Sequence, residues 1–175
     1  RNTCFSSRGL AEKLFIDSDI PSLILQVPMV LGEGDYTSKA LKKNALSRFS
    51  FTFRKLSLEQ PIYAGDIIEV IKLDISRSLK GDLTQRGIKA LAGPTSLTRE
   101  KLIKKAAKLL GVRVKVFSLP LFLGYGLARI FEILSSNPPI SRSMMGVLDH
   151  DDAIDPLHSC KELGIELTVL DVMLE

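Results

Sequence analysis

Residues 20–31, IPSLILQVPMVL, form an almost unbroken apolar run broken only by Pro, Ser22 and Gln26. Such a run suits a strand buried on both faces, the environment of a parallel sheet covered by helices. Parallel neighbours are joined by long crossovers, usually helical. The run therefore demands a chain that alternates strand and helix, with several partner strands close by.

The flanking segments alternate in that way. Residues 4–15, CFSSRGLAEKLF, have helical spacing and place Cys4, Arg8 and Glu12 on one stripe, with Arg8 and Glu12 spaced for an ion pair across one turn. Gly32-Glu33-Gly34-Asp35 breaks the apolar run, and Tyr36–Ser47 has the pattern of a helix with a basic face. Phe49, Phe51 and Phe53 alternate with Ser50, Thr52 and Arg54, the period of a half-buried strand. QPIYAG (60–65) is a short extended piece, and Asp66 has the place of an N-cap for a helix carrying Ile67, Ile68, Ile71 and Ile75. IKALAGP (88–94) and VRVKVFSLP (112–120) are further strands around a helix 99–110, with Thr98 as its cap and Gly111 just past its end. Helices follow over 121–135, 141–149 and 168–175, and another starts at Pro156 with Asp155 as its N-cap and Gly164 at its end. The pattern is α/β. The buried strand lacks long partners, so the chain looks like the second half of a larger sheet structure.

Composition bounds the function classes. The 175 residues are 45% hydrophobic and 25% charged, enough for a packed core. The net charge of +4 comes without a nucleic-acid motif or aromatic–basic interleaving, so no nucleic-acid partner is expected. Cys4 and Cys160 match no metal or redox spacing, which points to a reducing, cytoplasmic setting. No signal-peptide pattern opens the chain, and the uncharged run 116–128 is too short to cross a bilayer. The segment 121–134 fits a buried helix, with a membrane-surface contact as the rival reading. HDDAIDPLH (150–158) collects both histidines and three aspartates without metalloprotease spacing, and no metal is expected there.

Taken in order, the spaced pair on the first helix, the strand ending in Pro-x-Val-x-Gly, QPIYAGD before a helix, and LAGPTSLTREKLIKKAAKLLG resemble the C-terminal half of extended and atypical short-chain dehydrogenase/reductases. This group includes nucleotide-sugar epimerases and dehydratases, and accessory subunits of respiratory complex I resemble the same fold. The resemblance implies the C-terminal part of a Rossmann-like parallel sheet plus a small α/β substrate domain. The Gly-rich half that would precede it is absent from this chain. Residues 1–35 would be the last helix and strand of the Rossmann-like domain. Residues 36–175 would be the substrate side, with 60–90 able to return to the core.

The resemblance also implies a site. CFSSRGLAE stands at the family's Tyr-x-x-x-Lys-x-x-x-Glu segment, so Cys4 occupies the phenol position and Arg8 the lysine position. Arg8, Pro28, Met29, Val30 and Gly32 would face NAD or NADP. Asp35, Tyr36, Lys39 and Tyr63 would face a small-molecule substrate. Gln60 and Asp66 would lie near the substrate region, with capping the main role of Asp66. The implied function is an NAD(P)-dependent oxidoreductase or epimerase, with a non-catalytic dinucleotide-binding sensor or accessory subunit as the alternative. The oligomeric state and the choice between NAD and NADP stay open.

Overall fold

The computed structural model describes residues 3–82 and 86–174. It opens with helix α1 (Thr3–Ile16), followed by strands β1 (Leu23–Gln26) and β2 (Val30–Leu31) and helix α2 (Tyr36–Leu46). Strands β3 (Phe49–Phe53), β4 (Leu58–Glu59) and β5 (Ile62–Tyr63) lead into helix α3 (Ala64–Leu79). Strands β6 (Gly87–Ala90) and β7 (Leu97–Thr98) precede helix α4 (Arg99–Leu109), and β8 (Lys115–Leu119) follows it. Helices α5 (Leu121–Leu134), α6 (Arg142–Leu148), α7 (Leu157–Leu163) and α8 (Leu170–Met173) complete the described chain. The strands pair two by two: β1 with β6, β2 with β5 and β3 with β8 in parallel, β4 with β7 antiparallel.

The apolar run 20–31 is not one buried strand. It splits into β1 and β2, and β1 is half-buried, with Gln26 exposed. The reason is Pro28, which has no N–H to continue a ladder. At this point the chain changes partner: Leu91 N–H still donates to Gln26, but Ile62 N–H donates to Met29. Among the described residues, the other edge of β1 has no strand beside it.

Two apolar clusters hold the chain together. One gathers Leu31, Leu41, Ala45, Leu102, Ile103, Val116 and Leu170, where α2 and α4 pack over β8. The other gathers Ile62, Val70, Leu91, Leu163 and Ile165 around α3 and β5. Thr98 caps α4 by accepting from Lys101 N–H, and Gly111 takes φ +70° beyond it. Gly93 is forced by packing: a Cβ there would stand 1.8 Å from the Pro61 carbonyl oxygen.

Four other expectations change. Asp66 is not an N-cap. Tyr63 occupies that place, and Asp66 is buried in the first turn, accepting from Thr168 N–H and from its hydroxyl. Glu12 does not turn to Arg8; it accepts from Gln26 Nε2 at 2.9 Å. Helix α5 is not a core helix: only Gly124 and Ala128 are buried. Pro156 starts α7, and Asp155 accepts from Leu157 N–H as a cap would. The last helix runs only from Leu170 to Met173, and Glu175 lies outside the described residues. No described helix is long and apolar enough to cross a membrane.

Candidate functional site

A cleft of about 1110 Å³ opens between α1, the β1 strand and the loop after α6. Arg8, Pro28, Val30, Arg86, His150 and Asp152 are among its walls. The first wall follows from local sequence. Arg8 lies one helical turn past Cys4 on α1, and Pro28 and Val30 sit where β1 ends. The cleft runs along all of β1, from Pro21 to Val27, and Pro28 and Val30 line it beyond the strand's carboxyl end, the side on which ligands of open α/β sheets bind.

Another part of the wall is built by long-range hydrogen bonds. The Gln60 amide donates to the carbonyls of Gly93 and Ile154, both at 2.8 Å, and accepts from Ile154 N–H. This clamp fixes loop 149–155 against the end of β6. Asp152 N–H donates to Leu58, and its carbonyl accepts from the Ser96 hydroxyl. His150 packs its ring on Phe5, with centroids 5.3 Å apart. Arg86 is held by Asp74 and by the Ser78 hydroxyl.

Charge is tuned in this wall. Burial raises the Asp152 carboxyl above its ordinary range, opposed by the nearby His150 and Arg99. Burial also raises Glu59, opposed by Arg99, whose Nε donates to it at 2.7 Å. Arg99 donates to the Phe53 carbonyl as well, so one guanidinium ties α4 to β3 and β4.

Of the residues expected at a ligand, Arg8, Pro28 and Val30 share the cleft wall. Cys4 is half-buried on α1, outside the lining. Met29 packs against the α2–α4 cluster. Gly32 faces Ala64, whose Cβ would stand 2.8 Å from a Cβ at Gly32. Asp35 caps α2 by accepting from Ser38 N–H at 2.8 Å, a bond that holds its carboxyl below the ordinary range. Tyr36 is 82% exposed and Lys39 is exposed. The Tyr63 ring lies against Gly65. Sequence reasoning placed neither His150 nor Asp152 at the site. Their stretch stood out only as a metal candidate, and among the described residues no three His, Cys, Asp or Glu side chains gather to hold a metal.

The donor set fits the nicotinamide end of a dinucleotide. Arg8 offers charged donors suited to ribose hydroxyls, and Pro28 and Val30 offer an apolar wall suited to a flat ring.

No family model matches the chain, and no curated protein matches it significantly by sequence. Solved structures match it by shape. A nucleoside-diphosphate-sugar epimerase from Pseudomonas aeruginosa aligns with TM-score 0.64 and 20% identity over 97% of this chain and 50% of its own. The dTDP-glucose 4,6-dehydratase of Bacillus anthracis, solved with NAD, aligns with TM-score 0.61 and 13% identity over 97% of this chain and 47% of its own. The human epimerase family protein SDR39U1, solved with NADPH, aligns with TM-score 0.62 and 14% identity over 87% of this chain and 46% of its own. The chain thus spans about half the length of these structures. Its α/β fold is the one found in about half of each of these epimerase and dehydratase structures.

Proposed function

We propose that this chain forms the substrate-side part of an NAD(P)-dependent oxidoreductase or epimerase acting on a small molecule. The observation that carries the reading is the cleft wall of Arg8, Pro28 and Val30 at the carboxyl end of β1. A bound nicotinamide dinucleotide supplies hydride chemistry at its ring. Arg8 donates to ribose hydroxyls and, always charged, holds position without relaying protons. Pro28 and Val30 keep water from the reacting face. His150 and Asp152 line the same cleft and orient the polar groups of the substrate. A cytoplasmic setting, the one expected from two cysteines without metal or redox spacing, is part of this reading.

A second reading has its own support. Cys4 stands at the family's phenol position, is much shorter than Tyr, and lies off the cleft wall. A protein of this kind keeps the dinucleotide without chemistry, as a sensor or accessory subunit.

Fluorescence titration of the intact protein with NADH and NADPH tests both. Binding is expected, and Arg8→Ala is expected to weaken it about tenfold or more, the scale of a lost hydrogen bond to a charged donor. No binding of either cofactor overturns both readings. Consumption of reduced cofactor with carbonyl substrates favours the enzyme, and binding without turnover favours the accessory role.

A further inference from the structure

Strands β3 and β8 pair in register, Phe49 with Lys115, Phe51 with Phe117 and Phe53 with Leu119, so these side chains share one face of the pair. That face is not covered. Phe49 is 48% exposed, Phe51 60% and Phe117 45%, while Ser50 and Val116 on the opposite face are buried under α2 and α4. The aromatic alternation thus points outward. Large apolar exposure concentrated in one place marks a contact surface.

Helix α5 extends this surface. A Cβ at Gly124 would stand 2.9 Å from Phe53 Cε1, so α5 lies against the same face of β3. Leu123, Leu127, Ile130 and Leu134 recur at helical spacing as one exposed stripe. At 14 residues the helix is too short to cross a bilayer but suited to lying in its surface.

Cations outnumber acids in the segments that build this surface, although Arg54, Lys55, Lys104 and Lys105 are paired with Asp149, Asp151, Glu100 and Asp171. Arg48 sits over the Phe49 ring at 5.5 Å, and Lys115 pairs with Phe49 across the strands. Among the described residues, neither Arg48 nor Lys115 has an ion-pair partner. Cations flanking exposed apolar side chains match the boundary of an anionic bilayer, where the headgroups take the charge and the acyl region takes the rings. Single-stranded nucleic acid fits less well. Phe51 and Phe117 stack on each other at 24°, which occupies one face of each, and the α5 stripe is aliphatic.

We propose that the outer face of β3–β8 and the exposed stripe of α5 dock the protein on the surface of an anionic lipid bilayer. The rings and the Leu/Ile stripe enter the headgroup boundary. Arg48 and Lys115 lie at the phosphate level. The test is flotation of the intact protein with vesicles of phosphatidylcholine alone or with one third phosphatidylserine. The expected result is flotation with the anionic vesicles, at least tenfold weaker on neutral ones and released by high salt. Phe51→Ser with Phe117→Ser should reduce flotation at least tenfold, as should Arg48→Glu with Lys115→Glu. All four side chains are exposed, so melting temperatures should stay within a few degrees, which separates lost docking from lost folding. No flotation with anionic vesicles, or flotation unchanged in both double variants, overturns the proposal. So does a concentration-dependent dimer, seen by sedimentation without vesicles, that either variant abolishes while vesicles fail to bind.

Discussion

Single side chains in this protein do work that their sequence positions only half disclose. Asp35 stood out as a substrate residue, yet its carboxylate caps α2 through Ser38 N–H. Asp35→Ala should cost about 1 kcal/mol at neutral pH, a fall of roughly 2–4 °C in Tm. The sign with pH follows from the bond. The native carboxyl is held below 3.8, so its contribution is complete above that value and disappears as pH falls through the lower native one. The gap between wild type and Asp35→Ala should therefore close in acid, and melting curves from pH 7 down to pH 2 would show whether it does. Gly93 gives a sharper case. Because a Cβ there meets the Pro61 backbone rather than a side chain, nothing can rotate aside. Gly93→Ala should destabilise by about 3 kcal/mol, the upper part of the overpacking range. A Tm within 2 °C of wild type would remove the close approach as the reason for this glycine.

At the scale of elements, polar ties do the joining because the strands are short. β4 and β7 pair over only two residues. What secures α4 to β4 is the buried Arg99–Glu59 pair. Glu59→Ala would leave a buried guanidinium without its partner, at a cost of about 3–5 kcal/mol. Urea denaturation should show that loss. If Glu59→Ala costs less than about 1 kcal/mol, α4 is held by apolar packing alone. Gln60 plays a similar part by clamping loop 149–155, which carries His150 and Asp152 to the cleft. None of these pairings is visible in local pattern, since their partners are tens of residues apart.

For the molecule as a whole, the open edge of β1 governs what binding to expect. A lone pair of parallel strands is a weak platform, and the resemblance places the phosphate-binding turn in a preceding half. These 175 residues should therefore bind NADH or NADPH weakly by themselves, and any longer protein that supplies such a turn should bind them more tightly. Calorimetric titration makes the comparison. Low-micromolar affinity for the 175 residues alone would show that the cleft holds the dinucleotide without such a turn.

The linear chain by itself determined the order of elements. Capping Thr98, the terminal Gly111 and Gly164, and the helical and alternating periods place most helices and strands, because these signals act within a few residues. Periodicity also marked Phe49, Phe51 and Phe53 as a strand, but not which face turns inward. A period of two is the same whichever side is buried, and here the paired strand and two helices bury Ser50 and expose the rings. The break at Pro28, the inward turn of Asp66 to Thr168, and the placing of His150 and Asp152 in one cleft with Arg8 were likewise decided by tertiary structure. Each depends on a partner far along the chain, and no local propensity encodes which distant group will satisfy a hydrogen bond or cover a ring.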